Sequence, residues 1–231
     1  MADWISFWDT QHSIYVNARH RDVHYRMIAE DVRRYVPPSD AVVMDYGCGE
    51  ALHAGIVAAA AKRLILVEAA PSVVAGLIAR FTDDSRVEVA TPERLDAYPD
   101  HGIDLIVLNS VAQYLSGEAL DALLARFHRL LNRDGLLVVG DVLPPDLSPL
   151  ADVTALLRLA ATHGFLAAAL AGLLRTLTSD YARLRARLGL TRYDAAAMLD
   201  KLSTAGFSGE RAGENIGHNQ ARMTFLARPL R

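Results

Sequence analysis

Asp45-Tyr46-Gly47-Cys48-Gly49-Glu50-Ala51 lies between an apolar run, Ala41–Met44, and an alanine-rich segment. Glycines in such a turn bring bare backbone N–H groups close to a ligand, because no Cβ blocks the approach. Glu68 ends the next apolar run about twenty residues later, where a carboxylate can accept both hydroxyls of a ribose. Together they point to an adenosine-containing ligand. Two registers compete. A dinucleotide fingerprint, G-x-G-x-x-G, takes Gly47 and Gly49 but meets Leu52 at its third glycine. An acid two residues before G-x-G-x-G takes Asp45 and both glycines, with Ala51 in the last place. The plainer reading is a turn kept for packing and a glutamate that merely follows a strand.

Other side chains could do chemistry near this turn. His20 and His24 fall one helical turn apart and share a face. They are candidates for a general base or for positioning a substrate, and ordinary core histidines are the alternative. Two histidines at this spacing can ligate zinc, but H-E-x-x-H and a third ligand are missing, so no metal is expected. Tyr15 and Tyr25 could turn ring faces to a cation or simply dock their helix. Tyr114 is a further candidate base. Cys48 is the only cysteine, which excludes an internal disulfide and a multi-cysteine zinc site.

These residues need a frame. Residues 1–38 read as a helical, aromatic segment closed by Pro37-Pro38-Ser39-Asp40. Apolar runs at Val42–Met44, Leu64–Val67, Val87–Val89, Ile103–Leu108 and Leu136–Val139 read as buried strands. Helical stretches Leu52–Ala61, Ser72–Phe81 and Glu118–Leu131 alternate with them, and Asn132–Gly135 reads as a turn. The pattern predicts an α/β fold: a Rossmann-like, seven-stranded, mostly parallel sheet with helices on both faces. Two late strands, near Gly209–Asn215 and Arg222–Ala227, would add an antiparallel pair at one edge. A helix starting at Thr191–Asp194 and running to about Thr204 precedes them.

Residues 146–190 interrupt this rhythm. Three prolines between Asp141 and Pro149 precede a leucine- and alanine-rich helical region, about 150–189. It reads as a helical lid inserted between a cofactor-binding unit at 39–145 and its continuation at 191–231. Leu156, Leu157, Leu159, Phe165, Leu166, Leu170, Leu173, Leu174 and Leu177 would cover the domain or an apolar substrate, pair with a second copy in a homodimer, or touch a membrane surface. Arg183, Arg185, Arg187 and Arg192 form a solvated face or bind an anionic group.

Bulk properties narrow the class. The chain has 231 residues, 52% of them hydrophobic, and a net charge of −3. That suits one domain with an added subdomain and gives no global pull toward nucleic acid or acidic lipid. The longest uncharged apolar stretch, Gly164–Leu174, is short of the roughly 18–20 residues of a spanning helix. The N-terminus lacks a secretory pattern, so a cytoplasmic location is expected.

The acid-before-glycine register resembles motif I of class I S-adenosylmethionine-dependent methyltransferases. Asn109-Ser110-Val111-Ala112-Gln113-Tyr114-Leu115 after the fourth strand and Gly140-Asp141-Val142 after the fifth resemble later motifs of that family, in its small-molecule branch. The resemblance covers roughly residues 40–145. It implies S-adenosylmethionine as cofactor and methyl transfer to a small, partly apolar acceptor. Asp45, Gly47 and Gly49 would hold its methionine end, Glu68 its ribose, Ala69 its adenine. Thr91, Pro92 and Glu93 would line the adenine loop, though the acid common there is missing. Asn109 and Ser110 would floor the site, and Tyr15, Tyr25 and Gln113 would face the acceptor. O-, N- and C-methylation stay open. An NAD(P)-dependent oxidoreductase and a non-catalytic cofactor-binding protein on the same fold are the rivals.

Overall fold

The structure, a computed structural model, describes residues 2–9, 15–38, 40–176 and 189–230. Seven strands form one sheet: β1 (Val42–Tyr46), β2 (Arg63–Val67), β3 (Val87–Ala90), β4 (Ile103–Asn109), β5 (Leu131–Val142), β6 (Phe207–Arg211) and β7 (Met223–Pro229). Their spatial order is β3-β2-β1-β4-β5-β7-β6. The first five are parallel, and β7 runs antiparallel between β5 and β6. The order reverses between β1 and β4, so the loops leaving these strands diverge and open a crevice at their C-terminal ends. The glycine turn leaves β1 and Asn109-Ser110 leaves β4, so both stand at that crevice.

Strand residues point alternately to opposite faces. Met44, Ile65, Val67, Ile106 and Leu108 pack on one side with Leu120, Leu124 and Phe127 of α5 (Gly117–Leu130). Val43, Leu64, Leu66, Leu105 and Val107 pack on the other. That second layer holds Ala29 and Val32 of α2 (Ala18–Arg33), Val57 of α3 (Ala54–Ala58) and Leu77 of α4 (Pro71–Phe81). Two-sided burial explains why the parallel strands read as unbroken apolar runs.

Four boundaries differ from the sequence reading. Asn132–Gly135 lies within β5 as an irregularity: Leu131 pairs with Ile103, but the next pairing joins Leu136 to Leu105. Gly135 permits it, because a Cβ there would come within 2.7 Å of Leu131 and 3.1 Å of the Asp104 carbonyl. The helix expected over Leu52–Ala61 shrinks to Ala54–Ala58, since Ala51 holds a positive φ of 42° and the turn is still unwinding there. Asp194 caps the late helix, α8 (Ala195–Thr204), by accepting the Ala197 N–H at 2.8 Å. Thr191 stays outside it, donating its N–H to the Gln113 carbonyl (2.9 Å) and its hydroxyl to that of Leu115 (2.7 Å). Finally, β6 stops at Arg211, and Asn215 lies in the loop before β7.

The N-terminal segment forms α1 (Ala2–Trp8) and α2, whose N-cap Asn17 accepts the His20 N–H at 2.8 Å. The region after Ser148 forms α6 (Pro149–His163) and α7 (Leu166–Thr176), separated by Gly164 at φ 77°. Val23 of α2 shares a small core with Leu159, Ala160, Phe165 and Ala169. Leu177, Arg183, Arg185 and Arg187 lie outside the described residues.

Candidate active site

One large cavity, about 1020 Å³, opens at the C-terminal ends of β1, β2, β4 and β5. At one end stands the glycine turn. Gly47 (φ 72°) and Gly49 (φ 57°) adopt a left-handed backbone that side chains rarely take. A Cβ on Gly47 would lie 2.4 Å from Val111 Cγ2, and one on Gly49 would lie 2.9 Å from Tyr25 Oη. Glycine is therefore required twice, for conformation and for space.

Four N–H groups of the turn, those of Gly47 to Glu50, are spent inside the protein, where the sequence reading expected bare donors. The Gly47 and Cys48 N–H groups donate to the Val67 carbonyl at 2.8 and 3.3 Å. The Gly49 N–H donates to Glu68 Oε2 at 2.9 Å, and the Glu50 N–H to Tyr25 Oη at 3.1 Å. Glu68 Oε1 accepts the Ala69 and Ala70 N–H groups at 2.7 and 2.9 Å. Glu68 thus ties the turn to the start of α4. What the turn presents to the cavity is space and carboxylate. Asp45 lines it too, and burial, with Glu68 repelling it, pushes its carboxyl up to about 7.

The two N-terminal helices close over this end. Asp22 of α2 bonds His53 at 2.7 Å, and Arg21 reaches Glu50 at 3.5 Å. Asp9, just past α1, accepts the Ser72 N–H at 2.6 Å and so caps α4. Trp4 packs on Tyr114 at 4.6 Å between ring centres, and Trp8 on Tyr114 at 5.8 Å. Ala69, Pro92, Glu93, Asn109 and Ser110 also line the cavity. Thr91 does not; its hydroxyl bonds the Glu93 carboxylate and holds it below the usual carboxylate range.

The other end is built around histidines. His20 and His24 line it with Tyr15, whose ring centre is 5.4 and 5.5 Å from theirs. A third histidine, His218, arrives from the β6–β7 loop at 6.4 Å from His20 and 6.1 Å from His24. Burial lowers all three, His20 to about 4 and His24 to about 3. His20 Nδ1 accepts the Val16 N–H at 3.3 Å, and Phe165 stacks on its ring at 5.2 Å. Among the described residues no three side chains converge to hold a metal ion. Burial also raises Tyr15 well above the usual phenol range and Tyr25 to about 12, so both stay protonated.

Charge here is already paired. Asp141 (φ 60°) accepts the Ser110 hydroxyl at 2.7 Å and Arg222 Nη1 at 2.6 Å. Arg222 Nη2 continues to Asp152 of α6 at 2.9 Å, where Asn219 donates at 2.7 Å. Asn215 Oδ1 accepts the Asp141 N–H at 3.1 Å and holds the loop. Arg192 spends its guanidinium on the Pro145 and Leu147 carbonyls, at 2.8 and 3.2 Å. Gln113 is only 6% exposed, lines the cavity, and leaves its Oε1 without a partner. Sequence reading missed His218 and Arg222. The signal was the Ala212–Arg222 connection, longer than an ordinary hairpin loop and rich in Asn, Gln and Gly.

Residues 44–139 match the family model of a methyltransferase domain. No curated protein matches the sequence. The fold is similar to the 1,6-didemethyltoxoflavin-N1-methyltransferase of Burkholderia thailandensis, solved with 1,6-didemethyltoxoflavin and S-adenosylhomocysteine. The TM-score is 0.62 at 16% identity, over 100% of this chain and 87% of that one. It is similar to DhpI, solved with SAH, at 0.61 and 13%, over 98% and 95%. It is also similar to the pyocyanin biosynthetic protein PhzM, at 0.60 and 14%, over 91% of this chain and 55% of that one. Among the described residues no helix is long and apolar enough to cross a membrane.

Proposed function

We propose that this chain, which carries a class I S-adenosylmethionine-dependent methyltransferase domain, transfers a methyl group from S-adenosylmethionine to a small-molecule acceptor. One observation carries the choice of cofactor. The N–H groups of Gly47 to Glu50 are spent on the protein, and the turn faces the cavity beside two carboxylates. A pyrophosphate needs donors and is repelled by carboxylates; an ammonium and a pair of ribose hydroxyls need acceptors. The residues fit the second ligand and not the dinucleotide.

In this reading Asp45, Gly47 and Gly49 hold the methionine end and Glu68 the ribose. Ala69, Pro92 and Glu93 border the adenine, and Asn109, whose buried Oδ1 lacks a partner, borders the methionine with Ser110. The bound cofactor supplies a methyl carbon that is already electrophilic. The protein's work is then alignment and exclusion of water. Trp4, Trp8 and Tyr114 wall the cavity on one side; α6 and α7 add no described residue to its lining and reach it through Phe165, between them, which stacks on His20. His20 and His24 remain unprotonated at neutral pH, which suits them to accept a hydrogen bond and makes them weak bases. Tyr114, among the two tryptophans, serves better as a wall than as a base.

The cavity is large enough for two ligands, since about 300–1,000 Å³ serves one. Leu150 of α6 and Leu170 of α7 keep 73% and 52% of their surface in solvent. The same reading gives this face to a second copy, which light scattering would test, and puts the protein in the cytoplasm. Calorimetry with S-adenosylhomocysteine and with NAD tests the main proposal. The thioether should bind, and Glu68→Ala should weaken it about ten- to a hundred-fold, because Glu68 both accepts hydroxyls and fixes the turn. Binding of NAD in place of the thioether would overturn it.

A further inference from the structure

The acceptor end leaves specific polar groups unused. Gln113 sits in the tight turn after β4, nine-tenths buried, and its carboxamide forms no hydrogen bond among the described residues. Buried amides are almost always bonded, so this one marks a place where a ligand completes the set. The rings of His24 and His218 border the same cavity and also lack a hydrogen bond among the described residues, while the backbone already fills one nitrogen of His20.

The charges at this end are not available. Arg222 binds Asp141 and Asp152 together, and Asp141 also takes Ser110 and the Asn215 N–H₂. A carboxylate or phosphate entering here would meet Asp141 and, among the described residues, find no free cation. An ammonium would have to displace Arg222. Burying either charge without a partner is costly. Neutral groups that both donate and accept match imidazole and carboxamide edges. Tyr15, Trp4, Trp8 and Tyr114 border the cavity as well, and flat rings pack best against flat rings.

We infer that Gln113, His24 and His218 form the acceptor's recognition edge, and that they select an uncharged, planar aromatic molecule bearing both a hydrogen-bond donor and an acceptor on its rim. This rests on the methyltransferase reading and narrows its substrate class. Gln113 and His218 act here as specificity residues, touching the acceptor and not the cofactor.

The test uses the full chain saturated with S-adenosylhomocysteine and calorimetry against hydroxy- and aminoquinolines, each matched with its carboxylate derivative. The uncharged members should bind and the carboxylates should bind at least about ten-fold more weakly. Gln113→Leu and His218→Phe, made separately, should each weaken the uncharged members about ten-fold and leave S-adenosylhomocysteine affinity within about two-fold. Two separate variants guard against one that fails to fold. Three outcomes overturn the inference while the methyltransferase reading stands: thioether binding with no uncharged quinoline bound, a preference for the carboxylates, or unchanged acceptor affinity in both variants. A wild-type chain that fails to bind the thioether takes down both.

Discussion

At the glycine turn, Asp45 and Glu68 stand near one another, and three backbone N–H groups, of Gly49, Ala69 and Ala70, hold Glu68. Elsewhere in the same cavity three imidazoles stand together, the Gln113 carboxamide lines the wall, and Arg222 is paired with Asp141 and Asp152. Among the described residues the two carboxylates of the first end have no cation paired to them; the second end holds neutral groups with hydrogen-bonding capacity to spare. Burial acts on them with opposite sign. It raises Asp45 to about 7 and lowers His24 to about 3, because in each case it disfavours the charged form. On the reading proposed above, one end takes the cofactor's ammonium and the other an acceptor without charge.

The largest way to break this comparison is at Gly47. Gly47→Ala places a Cβ 2.4 Å from Val111 Cγ2 at a φ of 72°. Strain and overlap should together cost about 2–4 kcal/mol. Binding of S-adenosylhomocysteine, measured by calorimetry, should fall by about a hundred-fold or more. Gly55→Ala is the control: a Cβ there meets nothing within 4 Å, inside α3, so it should leave binding intact and raise stability by about 0.5–1 kcal/mol. Equal binding by the two variants would remove the turn from the cofactor site.

Asp45 gives a smaller effect with a definite sign. With its carboxyl near 7, half of it is protonated at neutral pH, and a bound ammonium favours the ionised form. Affinity for the thioether should therefore rise as pH goes from about 6 to 8, by up to about ten-fold, with proton release on binding. Asp45→Asn should bind more weakly and lose that pH dependence. A wild-type affinity flat across this window would mean that Asp45 does not meet the ammonium.

Much of this was legible in the sequence for physical reasons. Strands buried on both faces must be apolar throughout, so Leu64–Val67 and Ile103–Leu108 announce themselves. Strained backbone needs glycine, so Gly47 and Gly49 stand out. What was not legible depends on distant partners. Nothing local says that Glu68 will spend one oxygen on Gly49 and the other on Ala69 and Ala70. Asn132–Gly135 carries turn chemistry, yet its flanks pair on in β5. His218 and Arg222 come from a loop without periodicity, and only folding sets them beside His24 and Asp141.

The histidine end offers the last and smallest test, through stability. In the unfolded chain an imidazole titrates near its ordinary 6.5; in the fold, His24 is held near 3 and His20 near 4. Between those values the unfolded chain binds more protons, so the contribution of these groups to stability is present above 6.5 and is lost as pH falls. Each histidine can remove up to about 1.4 kcal/mol per pH unit in that window, and a chain this size loses roughly 2–4 °C of melting temperature per kcal/mol. Asp45 works against this trend, since its raised carboxyl makes the fold more stable toward acid over about pH 4–7. His24→Gln keeps a polar edge without the titration. It should melt less steeply with falling pH than the wild type between pH 7 and 5, and Asp45→Asn more steeply. Thermal melts across that range would check both slopes, and parallel slopes for all three proteins would mean that the two ends are not buried in opposite senses.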